Sequence, residues 1–134
     1  MFKIAPIQSK SEQEKCAYAC GTVLREGYFA YSMVDSESGA LMGFSQFEIK
    51  DGVGYIADLL PTPAFADDFE ALFILGRQTM NFIDLCGIHT VKATEKTANQ
   101  RLIRAIGFKP IEDGNYFCDM TGFFDGHCDG GKKG

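Results

Sequence analysis

The chain has 134 residues, 46% of them hydrophobic with twelve Phe and five Tyr, which suits one domain with one packed core and excludes a disordered chain. A formal net charge of −5 argues against nucleic-acid partners, whose affinity comes from Lys and Arg set against phosphates, and no run of about 18 apolar residues is present to cross a bilayer. The start, Met1-Phe2-Lys3-Ile4-Ala5-Pro6, lacks the blocks of a signal peptide, and five cysteines scattered through apolar segments do not form a disulfide framework, so reduced, buried thiols in the cytoplasm are the expectation.

Phe2, Ile4 and Pro6 alternate with Lys3, Ala5 and Ile7, which predicts a short first strand with Pro6 near its end or on a sheet edge. Ser9 or Ser11 then caps a helix, each with a Glu three residues on, and Cys16, Ala17, Cys20, Val23 and Leu24 give that helix one apolar stripe before Gly27. Residues 28–34, 41–49 and 53–60 read as antiparallel strands joined by turn clusters at 35–39 and at Lys50-Asp51-Gly52.

The pattern changes at Pro61-Thr62-Pro63. Asp67 with Glu70 predicts a capping box, and Phe69, Leu72, Phe73, Gly76, Met80 and Ile83 recur at helical spacing up to Gly87. Ile74, Leu75, Phe82 and Leu85 lie off that stripe, so the helix is expected to be covered on more than one side. Residues 88–94 read as a strand, and strand, long helix and strand in succession imply a parallel crossover and a mixed sheet. A short helix over 98–106 stops at Gly107, and residues 108–112 pair with 115–120 across Asp113-Gly114. One domain over 1–124 and a flexible glycine-rich tail over 125–134 complete the expected organisation.

This order of elements resembles the topology of the GNAT superfamily of N-acetyltransferases, and the stretch from Glu95 to Phe108 is similar to that family's second motif, a polar loop leading into a short helix that ends in Gly-Phe. The resemblance covers nearly the whole chain. It implies an α/β (α+β) fold with a mixed central sheet of about six to seven strands flanked by helices, and acyl transfer from acetyl-CoA to an amine. It also implies cofactor contacts from Leu59 and Leu60 on the fourth strand and from Asn99 and Arg101 at the short helix.

In that family a glycine-rich loop with an Arg or Gln cradles the pyrophosphate at the start of the long helix, where free N–H groups and the helix dipole favour an anion. Here the stretch from Leu60 to Glu70 has no glycine and no basic residue. Pro61 and Pro63 donate no hydrogen bond, and Asp67, Asp68 and Glu70 set carboxylates where a phosphate would lie. At about 4 Å, two like charges repel by about 1 kcal/mol in water and about 4 kcal/mol near a protein surface.

Amine acetylation needs a base and an acid. The resemblance places the acid on a Tyr four residues before Gly-Phe, where this chain has Ile103. Asp58 and then Glu48 are the candidate bases, set against the plainer reading of both as solvated strand residues. Tyr55 and Tyr116 are hydroxyls able to replace the acid if they face the cleft, set against a reading as core aromatics. Cys118, His127 and Cys128 offer a thiol–imidazole grouping, one ligand short of a structural zinc site, so no metal is expected. Three readings therefore stand: an acetyltransferase using acetyl-CoA or CoA on an unidentified small-molecule or protein amine, a GNAT-fold binding or dimerisation module without catalysis, and a thiol or metal protein. Only one short helix precedes residue 28, so the acceptor pocket is either open or completed by a second copy, which makes a homodimer an expected partner.

Overall fold

A computed structural model describes residues 1–124. The tail over 125–134, with His127 and Cys128, lies outside the described residues. The elements are β1 (Phe2–Pro6), α1 (Lys10–Ala19), β2 (Phe29–Asp35), β3 (Leu41–Lys50), β4 (Val53–Pro61), a 3-10 turn (Pro63–Phe65), α2 (Phe69–Leu85), β5 (Thr90–Thr94), α3 (Gln100–Ala105), β6 (Lys109–Pro110) and β7 (Asn115–Asp119). They form one mixed sheet of seven strands in the order β1-β2-β3-β4-β5-β7-β6, in which β4 and β5 run parallel. Among the described residues no helix is long and apolar enough to cross a membrane.

Three boundaries differ from the sequence pattern, each for a local reason. Helix α1 begins at the Ser9 cap, whose side chain accepts from the Glu12 N–H, and ends at Ala19. Gly21 at φ 83° turns the chain out of the helix, so Val23 lies beyond it and is exposed. The cap of α2 is Asp68 instead of Asp67: the Asp68 carboxylate accepts from the Ala71 N–H at 3.1 Å, whereas the Asp67 carbonyl accepts from the Phe69 N–H. Strand β6 is two residues long, because Pro110 has no N–H to continue the ladder and the Ile111 N–H closes the turn onto the Asn115 carbonyl.

The larger core lies between the sheet and α2 with α3. It includes Phe47, Ile56, Leu59 and Val91 from the strands, Leu72, Leu75, Met80 and Ile83 from α2, and Leu102 and Ile103 from α3 with Ile106 at its C-cap. A Cβ on Gly54 would come within 2.7 to 2.8 Å of Val91 and Ile83, so this glycine sets how closely α2 approaches the sheet. The second core is smaller and lies on the opposite face, where Cys16, Ala17 and Cys20 at the end of α1 meet Ala30 and Phe44.

Two features of β4 position the functional site. Gln46 pairs with Asp58 but Phe47 pairs with Ile56, so Ala57 is an extra residue in β4. Such a bulge shifts the alternation of side chains: Ile56 and Leu59 both enter the α2 core, and Asp58 turns to the α1 face. The pairing of β4 with β5 is confined to Gly54 with Val91 and Tyr55 with Lys92. Beyond that point the two strands diverge and a fork opens between them.

Candidate functional site

The fork is occupied by the chain's own loop. Thr97, 2% exposed, donates its hydroxyl to the Ile56 carbonyl at 2.8 Å, and its carbonyl accepts from the Leu59 N–H at 2.8 Å. The same hydroxyl accepts from the Thr94 N–H at 3.0 Å, which locks the loop that follows β5. Thr62 donates its N–H to Met42 on β3, and successive residues of a strand present their backbone groups to opposite sides. Leu59 and Pro61 therefore face the fork, where the first is engaged and the second has no N–H.

The start of α2 is similarly self-contained. The N–H groups of Phe65, Ala66, Asp68 and Phe69 close turns within residues 62–69, and that of Ala71 is taken by Asp68. The residues present do not fit a pyrophosphate: acidic side chains stand at the helix start and these five amides already have acceptors. Of the residues singled out for cofactor contact, Asn99 caps α3 through its side chain on the Leu102 N–H at 2.8 Å. Leu59 is buried in the core and Leu60 pairs with Phe44. Arg101 stacks over the Phe69 ring, 4.0 Å from its centroid, at the first turn of α2.

Asp58 is 2% exposed, which corrects its reading as a solvated strand residue. Its carboxylate accepts from Arg25 at 2.6 and 3.2 Å, from Thr22 at 3.1 Å and from Gln46 at 2.8 Å. Gln46 in turn accepts from Gln13 and from the Arg25 N–H while donating to the Val23 carbonyl. Every strong acceptor site on Asp58 is thus engaged, and the group ties the connection between α1 and β2 down onto the sheet. The Asp58 carboxylate raises the pKa of Arg25 further.

Glu48 lies on the α1 face as well, but at a cavity. Its carboxylate accepts from the Tyr28 hydroxyl at 3.0 Å. Burial and then this hydrogen bond push the Tyr28 pKa up. Glu48 pairs across the sheet with Tyr55, Tyr55 with Lys92, and Lys92 with Phe117, which makes one continuous row over four strands. Tyr28, Glu48, Tyr55, Lys92, Thr94 and Asn115 line a cavity of about 370 Å³ at the root of the fork. Among the described residues Lys92 forms no ion pair.

A slightly larger cavity, about 400 Å³, lies at the edge of β2 beside α1. Phe29, Tyr31, Phe47 and Phe82 form its aromatic side, and the charges at its rim, Lys10 and Glu26, neutralise each other at 2.8 Å. Its charged lining residues are all paired, Lys10 with Glu26 and Arg25 with Asp58, whereas Lys92 in the other cavity is not, and an available polar group in a cavity is the better mark of a ligand site.

Tyr116 belongs to the opposite face. It is 4% exposed, packs in the α2 core, and carries the Arg104 guanidinium 5.9 Å above its ring, so the structure does not bring it to Glu48 or Tyr55. Cys118 is also buried there, and burial raises its thiol pKa to about 11. No grouping of three or more metal-ligand side chains occurs among the described residues. Sequence reasoning missed Tyr28 and Lys92. The second was signalled by its place: a lysine between Val91 and Ala93, both buried, must project from the other face of a central strand.

The strand order, the long crossover helix and the parallel pair that opens into a fork define the fold of the GNAT acetyltransferases. Solved structures of that fold superpose on most of the chain at low identity. The ribosomal-protein-S18-alanine N-acetyltransferase of Escherichia coli matches with a TM-score of 0.68 and 11% identity over 90% of this chain and 94% of that one. The IAA acetyltransferase of Bacillus cereus gives 0.69 and 12% over 89% and 99%. The PaiA N-acetyltransferase of Thermoplasma acidophilum, solved with coenzyme A, gives 0.57 and 12% over 67% and 59%. No model of a known protein family matches the sequence, and no curated protein matches it significantly.

Proposed function

We propose that this chain is a small-molecule-binding module built on the acetyltransferase fold, without ordinary acetyl-CoA-dependent turnover, and that its ligand site is the cavity at Glu48, Tyr55 and Lys92. The observation that carries this reading is Thr97 in the fork. Its hydroxyl and carbonyl take up the Ile56 carbonyl and the Leu59 N–H, the groups of β4 that a thioester-bearing arm lying along this strand would need. Displacing Thr97 leaves buried polar groups without partners, at about 1–3 kcal/mol each. The acidic, self-capped start of α2 adds to that cost.

Calorimetric titration with CoA and acetyl-CoA tests the reading, because a ligand that binds only the folded state must raise its stability. The expected outcome is no heat of binding and no rise in melting temperature at millimolar ligand. Binding at micromolar concentration would overturn it in favour of acetyl transfer to an amine.

A further inference from the structure

We propose that the cavity at the root of the fork recognises free amino acids as zwitterions, with Glu48 holding the ammonium group and Lys92 the carboxylate. This rests on the reading of that cavity as the ligand site, and it concerns the chemistry of the ligand. The two side chains stand on one face of the sheet in one cross-strand row, with Tyr55 between them. With neighbouring strands about 4.8 Å apart, their Cα atoms lie about 10 Å from each other. The charged end of an α-amino acid, with a charge-assisted hydrogen bond of about 2.8 Å on either side, spans such a gap.

The pairing inside the protein leaves both charges available. Glu48 uses one carboxylate oxygen, Oε2, on the Tyr28 hydroxyl, and among the described residues Oε1 accepts no hydrogen bond. Lys92 has no carboxylate within 4.0 Å among the described residues. A simple amine gains Glu48 but meets the Lys92 ammonium, and a simple acid meets the opposite conflict. A molecule carrying both charges satisfies both walls. Asn115 and Thr94 add polar groups beside Lys92, since Asn115 pairs with Thr94 two residues further along β5. Ile111, 52% exposed at the rim, and Ala57 give an apolar wall for an aliphatic side chain.

The test is a titration, followed by NMR or calorimetry, of the full chain with pools of the standard amino acids and then with the best binder, its carboxamide and its N-acetyl form. The free amino acid should bind about tenfold or more tightly than either derivative. K92M should erase the preference over the carboxamide, and E48Q the preference over the N-acetyl form, with each variant melting within a few degrees of the parent. No binding from any pool at millimolar concentration overturns the proposal, as does a preference that survives both substitutions. A CoA titration run alongside separates this outcome from the module reading: CoA binding sinks the module, whereas absence of amino-acid binding with CoA also silent sinks only the zwitterion site.

Discussion

Thr97 concentrates four hydrogen bonds on one residue: its hydroxyl bonds Ile56 and Thr94, its carbonyl Leu59, and its N–H the Thr94 carbonyl. Thr97→Val keeps the volume and removes the hydroxyl, so two backbone groups lose their partner. We expect a loss of about 1–3 kcal/mol in urea denaturation, and much less for Thr97→Ser. Asp58 is the comparable residue on the other face. Asp58→Ala removes the partner of Arg25, Thr22 and Gln46. Breaking such a pair costs about 3–5 kcal/mol when both charges are buried, but the Arg25 side chain is 38% exposed and can find water, so the expected loss is about 3 kcal/mol. Neither residue was legible as a structural key in the sequence. Thr97 reads as one polar residue in a polar loop, and its partners on β4 lie about 40 residues away. Asp58 reads as a solvated strand residue because a bulge at Ala57 leaves no mark in residue type, and only the register reveals that the alternation has shifted.

At the scale of elements, periodicity made most of the fold legible. The 3.6-residue stripe of α2 and the turn clusters between the hairpins describe chemistry that acts over a few neighbours, and both elements form where the pattern puts them. Helix ends depend on finer competition. Asp67 and Asp68 are equal candidates by type, and the 3-10 turn before them decides the matter by delivering the Asp68 side chain to the Ala71 N–H. Asp68→Ala is therefore expected to cost about 1 kcal/mol while Asp67→Ala stays near neutral, as read from thermal melts. The contact of α2 with the sheet yields a second prediction. Gly54→Ala puts a methyl group 2.7 Å from Val91 and 2.8 Å from Ile83, at the one place where β4 pairs with β5. Overpacking there should cost about 1–3 kcal/mol. No loss on this substitution would mean that α2 is looser against the sheet than its packing implies.

For the molecule as a whole, the buried thiols set how stability responds to alkali. Burial raises Cys20 to about 12 and Cys118 to about 11, and it also raises Cys16, Tyr28 and Tyr31. An unfolded thiol titrates near about 8.5. Between that value and the folded one, the unfolded chain has released a proton that the fold still holds, so rising pH favours unfolding. Stability from these groups is thus fully present below about pH 8.5 and is lost as pH rises towards 11 and 12, at up to about 1.4 kcal/mol per pH unit for each thiol. Urea midpoints should be level from neutral pH to about 8.5 and fall steadily above it. Cys118→Ala should lower the baseline but flatten the slope, because the group that titrates is gone. The same burial predicts which thiols a reagent reaches: in a Cys128→Ser background, Cys86 is exposed and should react in the native protein, while Cys16, Cys20 and Cys118 should wait for unfolding. Rapid native labelling of Cys118 would show that the face of the sheet under α2 opens more readily than its packing allows, and the alkaline slope would then have to come from Cys16, Cys20 and the tyrosines.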